Sequence, residues 1–208
     1  MSYDYPMFEL GWQKVLLWVS FILFLGAPLL RQETAINQDL GRHLRLGEMI
    51  VAGDSRKCAL YSNCLTYTYP DYPFINHHWG SEVIFYLVHK WTGFPGIIIF
   101  KAVILGLAFG VTVLHSASRG RSSPERTVLY TTAITLIFLS TQMMADRLTT
   151  RPEIFGYLLF STLFWILNSS LPKRHFPLFL ASCSLIITLW VNLHISFIFG
   201  LILIWIWS

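Results

Sequence analysis

Six apolar runs of near membrane-spanning length dominate this chain, at about 15–30, 96–116, 127–143, 154–171 and 176–193, with a last one running from Ile195 to Ser208. A span needs roughly 17–25 mostly apolar residues. In hydrocarbon no water is available for backbone N–H and C=O groups, so each run has to satisfy them within itself, which makes it a helix. The expected fold class is therefore all-α: a polytopic transmembrane helical bundle, with 1–208 as one membrane domain. The first run lacks a small-residue cleavage site and reads as a retained span rather than a signal peptide. The last run, SFIFGLILIWIWS, stops without a flanking charge or cap, so the chain reads as C-terminally truncated after about six spans.

Composition agrees. Hydrophobic residues make up 54% and charged residues 12%, where a soluble domain carries about 25% charged. The net charge of +4 is spread over short loops between apolar runs. It reads as a topology signal and argues against a nucleic-acid partner. Arg119, Arg121 and Arg126 in one loop, and Lys173 and Arg174 in another, are expected on the cytoplasmic side, together with Lys14 and the N-terminus. Loop 31–95, the segment 144–153 and the surroundings of Asn192 and His194 then face outward, in contact with membrane lipid. Arg147 and Arg151 go against this bias. Three cysteines are too few for a disulfide scaffold; Cys183 reads as packing, and Cys58 and Cys64 share one polar loop where pairing stays open.

Loop 31–95 holds six acidic and six basic residues. Within it, about 39–52 reads as an amphipathic juxtamembrane helix, with Leu40, Leu44, Gly47 and Val51 along one stripe. The following segment, GDSRKCALYSNCLTYTYPDYPF, reads as irregular or short-stranded. A second juxtamembrane helix is expected at about 79–92, capped by Ser81, with Val83, Ile84, Leu87, Val88 and Trp91 as its apolar side. Gly93, Pro95 and Gly96 should break it before the next span. Gly106 and Gly110 have the spacing of a close helix–helix contact.

The unusual polar groups fall in successive outward segments. Asp39 and His43 stand four residues apart on one helix; Asp39 can act as a first-turn acid at the positive end of the dipole or as a functional carboxylate, and the two roles are compatible. His77, His78 and Glu82 form a second group. Asp39, His78 and Glu82 are the candidate ligands for a divalent metal, although no HExxH-type spacing is present; a polar network around Trp79 is the competing reading. Arg147 and Arg151 suit a phosphate gripped by charge-assisted hydrogen bonds, with headgroup anchoring or local pairing as the alternative. Asn192 and His194, amid an apolar run, are expected to face a bundle cavity rather than lipid.

Four segments in order, QDLGRHLRLGEMIVAG, NHHWGSEVIFY, TTRPEIFGYLLF and LWVNLHISFIFG, resemble a group of bacterial membrane proteins similar to the GT-C superfamily of integral membrane glycosyltransferases. The resemblance implies a mannosyltransferase-like enzyme of the cell membrane. It would transfer a sugar from a polyprenyl-phosphate donor to an acceptor at the outer face. Asp39 would be the catalytic base, Arg147 and Arg151 would hold the donor phosphate, and His43, His77, His78, Glu82, Asn192 and His194 would line the substrate site. The chain departs from the superfamily in lacking a paired acidic motif in this loop, which leaves metal dependence open, and in its number of spans. The alternative is a non-enzymatic protein, a lipid-linked glycan transporter or an assembly subunit. A transporter would require charges near the middle of spans; Lys101 is the nearest case, and it is expected to snorkel.

Overall fold

A computed structural model describes residue 26 and residues 38–53, 55–144, 147–169 and 171–208. Apart from residue 26, the first apolar run lies outside the described residues, as does Lys14. The described residues form eight helices, in order: α1 Gln38–Ala52, α2 Arg56–Tyr61, α3 Trp79–Ser118, α4 Ser123–Met143, α5 Glu153–Leu167, α6 Leu171–Arg174, α7 Phe176–Leu193 and α8 Phe197–Trp207. Among the described residues no strand forms; a single bridge pairs Ser62 with Pro73.

Two of these helices, α3 and α7, are long and apolar enough to cross a membrane, and α5 and α8 are apolar but shorter. In the most apolar window of α3, and likewise of α7, only 22% of residues are buried. Ile99, Val103, Leu107, Leu178, Leu185 and Leu189 all stand exposed. Water does not tolerate so much contiguous apolar surface on a monomer, whereas lipid does.

α3 is continuous in outline but broken in backbone. Gly93 takes φ 66° and ψ −165°, a conformation reserved for residues without a Cβ. Pro95 follows and removes a backbone donor. The break divides a first segment, 79–92, from a long apolar one, as the Gly93–Pro95–Gly96 punctuation predicts. α4 starts a turn earlier than its apolar run because of a capping box. The Ser122 hydroxyl accepts from the Glu125 N–H (3.3 Å), and the Glu125 carboxylate accepts from the Ser122 N–H (3.3 Å), satisfying two orphan donors at once.

Packing is organised around α3 and α5. α1 lies along the first segment of α3, α5 packs on the second, and α7 and α8 close against α5. One apolar core gathers Leu40, Phe85, Ile97, Leu105, Leu148, Ile154 and Phe155. A second gathers Leu163, Leu167, Phe179, Cys183, Ile186 and Trp190.

Several expectations are corrected. The inward face of α1 is Leu40, His43, Leu46, Gly47 and Ile50, while Val51 is exposed. The face turns because α1 packs on protein through a histidine and a glycine, which an apolar stripe does not reveal. In the first segment of α3 Ser81, Glu82 and Phe85 are buried, whereas Trp91 is 76% exposed. His78 is the N-cap residue of α3, and Ser81 sits inside it. Its hydroxyl donates to the His78 carbonyl (2.8 Å) and reaches the Leu193 carbonyl (2.9 Å). The Cys58–Cys64 region contains the short helix α2, anchored by buried Ala59. Lys101 does not snorkel: it is 1% exposed, inside the bundle. Gly106 and Gly110 face open space.

Close approach is made elsewhere. A Cβ on Gly47 would collide with the backbone carbonyl of Glu82, and one on Gly80 would come within 2.7 Å of the Asn192 carbonyl oxygen. Gly47→Ala is therefore expected to push α1 off α3, at about 1–3 kcal/mol by analogy with overpacked cores. Gly106→Ala meets nothing and gains helix propensity, roughly 1 kcal/mol at most. Thermal melts of both variants in detergent should show the first clearly lowered and the second unchanged or raised.

Candidate functional site

The polar side chains singled out in the sequence collect at the end of the bundle where α1, the start of α3, the α4–α5 loop and the α7–α8 turn meet. Three groups of contacts define it.

The first is buried. Glu82 is 1% exposed and His43 3%, and His43 Nδ1 lies 3.0 Å from Glu82 Oε1. Asn76 Nδ2 donates to Glu82 Oε2 at 2.6 Å and to the Ala59 carbonyl at 3.1 Å. Asn76 Oδ1 accepts from the His78 N–H at 3.0 Å. A carboxylate this deep has to be paired and hydrogen-bonded, and partners from α1 and the segment before α3 do so. Asn76 was not foreseen; its signal, an Asn directly before two histidines, is too common to single out.

The second group is a chain of imidazoles. The His78 ring lies 6.0 Å from that of His43, 4.3 Å from His77 and 5.2 Å from His194, centroid to centroid. Burial drives the His78 pKa down, assisted by His77, His194, His43 and Arg42, to about 3. It is neutral near pH 7. His194 is lowered too, first by burial; Glu153 opposes the shift while His77 and His43 add to it. Its contacts fit a neutral ring, since Nδ1 accepts from the Ser196 N–H (3.2 Å) and lies 2.7 Å from Ser196 Oγ. The same hydroxyl accepts from Trp190 Nε1 at 3.0 Å. Asn192 Oδ1 accepts from Trp79 Nε1 at 3.0 Å, so it joins this end of the bundle.

The third group is more open. Arg151 Nη2 pairs with Asp39 Oδ2 at 3.1 Å, with the Arg 29% and the Asp 45% exposed. The α4–α5 loop thus meets the first turn of α1. On that loop Arg151 Nε and Thr149 Oγ1 are buried without a hydrogen-bond partner among the described residues. Arg147 is exposed and acts electrostatically on Tyr157; it forms no ion pair with Asp39.

Two grooves open beside this loop. One, of about 230 Å³, runs between α3, α4 and α5 past Ala108, Phe109, Met144, Leu148 and Tyr157. Another, of about 380 Å³, is bordered by Glu153, Tyr157, Trp190, His194 and Ser196. Glu153 was not foreseen as a site residue, although it follows Arg151 by two positions.

The proposed metal ligands do not converge. Among the described residues no three His, Cys, Asp or Glu side chains are grouped to hold an ion. Glu82 is taken by His43 and Asn76, and Asp39 by Arg151. Cys58 and Cys64 are free thiols. They lie close enough for Cys58 to act on Cys64, whose pKa rises to about 11 through burial and the Cys58 thiol.

Two outcomes follow from this geometry. Glu82→Ala strands His43 and Asn76 in the interior. It is expected to cost roughly 1–3 kcal/mol for each buried polar group left unpaired, read as a loss of folded protein after detergent extraction. His78 binds a proton in the unfolded chain below pH ~6.5 but in the folded chain only near 3. The unfolded state therefore takes up more protons in that window, and stability falls as pH drops through it. Melts between pH 7 and pH 5 should fall less steeply in His78→Gln than in the unaltered chain.

No protein-family model, curated protein or solved structure matches the chain, so its likeness to membrane glycosyltransferases rests on the four sequence segments alone.

Proposed function

We propose that the chain is an integral membrane glycosyltransferase of the bacterial cell membrane that takes its sugar from a polyprenyl-phosphate donor and acts at the outer face. The observation that carries this reading is the pairing of Asp39 with Arg151 (3.1 Å). It sets an acid opening a surface helix beside a guanidinium that still has a buried, unpartnered Nε among the described residues. The apolar groove past Met144 and Leu148 starts next to the same loop and suits an isoprenoid chain.

The chemistry is a displacement at the anomeric carbon. The acceptor hydroxyl gives its proton to the Asp39 carboxylate as its oxygen bonds to that carbon. The bond from the carbon to the phosphate oxygen breaks, and its electron pair leaves on the phosphate. Arg151, joined by Arg147, stabilises that growing negative charge. Neither guanidinium can lose its own charge under these conditions.

A transporter for a lipid-linked glycan is the second reading, favoured by one observation: Lys101 is buried within the apolar part of α3. Charges in such positions mark translocation paths.

Asp39→Asn should lower sugar transfer by about 10²–10⁴-fold, with membrane insertion and melting unchanged. Arg151→Lys should lower it by roughly tenfold or more, because the forked donor is lost while the charge stays. Radiolabelled transfer in membranes containing each variant reads both. Full transfer by Asp39→Asn removes the catalytic role. Loss of glycolipid translocation in Lys101→Met, with no transfer activity in the unaltered chain, would favour the transporter.

A further inference from the structure

A further cleft at this end of the bundle, of about 540 Å³, is separate from the grooves beside Asp39 and Arg151. It lies between α2, the segment before α3 and the end of α7. Its border includes Tyr61, Trp79, Arg56, Asn76, His77 and Asn192. We propose that this cleft binds a carbohydrate.

The first argument is chemical. Two aromatic side chains, Tyr61 and Trp79, border it and both stand exposed. Flat aromatic faces suit the C–H-rich faces of pyranose rings, and large rings with one polar handle are efficient binding surfaces. Between them lie amide, imidazole and guanidinium groups, the small set of directional partners that orients a ligand in such a site. Among the described residues, Arg56 is the one Lys, Arg, Asp or Glu side chain on the border. The site therefore suits a neutral sugar or one carrying a carboxylate, and disfavours a cationic ligand.

The second argument is preorganisation. Each polar group is held in place by the fold. Arg56 Nε donates to the Ile50 carbonyl at 2.9 Å, which aims the rest of the guanidinium without using its Nη donors. Asn192 Nδ2 donates to the Thr188 carbonyl at 2.7 Å, and its Oδ1 accepts from Trp79. Trp79 is fixed in turn, because the adjacent Gly80 packs on the Asn192 backbone with no room for a Cβ. His77 Nδ1 lies 3.3 Å from the Ile75 carbonyl, which orients the ring. Fixed side chains lose little entropy on binding.

The third argument is position. Asn76 borders the cleft and also holds Glu82, and His77 borders it while stacking on His78. The wall of this cleft is thus the buried network that positions α1 and Asp39. As the acceptor side of a transferase, the cleft rests on the function proposed above; as a carbohydrate site, it does not.

Saturation-transfer NMR on the full chain in nanodiscs tests it, with mannotriose, cellotriose and trigalacturonic acid as probes and trilysine as a cationic control. The expected result is transfer to ring protons of at least one sugar and none to trilysine. Affinity should fall about tenfold in Tyr61→Ala and in Trp79→Phe, and stay unchanged in Asp39→Asn. Tyr61 is exposed, so its loss leaves folding intact and keeps the test clean. Silence from all three sugars, or binding by both aromatic variants as tight as by the unaltered chain, overturns the proposal. Sugar binding together with full transfer by Asp39→Asn would remove the catalytic reading and leave the cleft standing. Transfer that depends on Asp39, with no sugar bound at the cleft, would do the reverse.

Discussion

A carboxylate buried as deeply as that of Glu82 constrains everything around it. In a medium of low polarity it has to find donors, and it finds them on two different parts of the chain, His43 on α1 and Asn76 before α3. Neither part can settle alone. Gly47 is what lets α1 come near enough, because its bare Cα rests on the Glu82 backbone. His43 lies one turn before Gly47, and Asp39 one turn before His43, so the three share a face of the helix. The ion pair of Asp39 with Arg151 is the downstream consequence of a contact two turns away.

The opposite side of the same helix start is tied by small residues. Gly80 and Ser81 in the first turn of α3 let the end of α7 approach, with the Ser81 hydroxyl bonded to the Leu193 carbonyl. Gly156 does the same for Ser196, since a Cβ there would come within 2.6 Å of its hydroxyl. That hydroxyl then serves both Trp190 and His194. Polar side chains gather here because the irregular segments of the described chain meet here, and irregular backbone brings carbonyls and N–H groups that need partners. A site built where elements end, on a scaffold of apolar helices, places function on loops and rigidity beneath it.

Much of this was legible in the residues. The bounds of α1 and α7, and the break at Gly93, follow from apolar runs and from glycine and proline, which act locally. The gathering of Asp39, His43, His77, His78, Glu82, Asn192 and His194 at one end followed from their lying in successive segments on one side of the apolar runs. What could not be read is which side of a helix meets protein and which is left exposed. Trp91 and Val51 are apolar and exposed, while His43, Glu82 and Lys101 are polar or charged and buried. α3 and α7 carry long apolar windows of which little is buried, so apolar character alone does not separate a packed face from an exposed one. Periodicity then reports a stripe without saying what covers it. Gly106 and Gly110 failed for the same reason: their spacing permits a close contact but supplies no partner.

The exposure of the Asp39–Arg151 pair separates it from the His43–Glu82 pair below it. A half-open ion pair is worth about 0–1 kcal/mol, so an incoming phosphate can draw Arg151 away from Asp39 at little cost. The guanidinium keeps its charge and exchanges one anion for another. Its buried Nε and the Thr149 hydroxyl, both without partners among the described residues, add donors that the carboxylate leaves unused. Once released, Asp39 stays where α1 holds it, because its position is set by His43 and Gly47 rather than by Arg151. On the transferase reading, arrival of the donor would itself free the base, and the carboxylate would be most available when the leaving group is already in place. The deeper pair could not work this way: removing its His43 partner would leave the Glu82 carboxylate without that hydrogen bond in the interior, which makes it a fixed point and the upper pair the movable one.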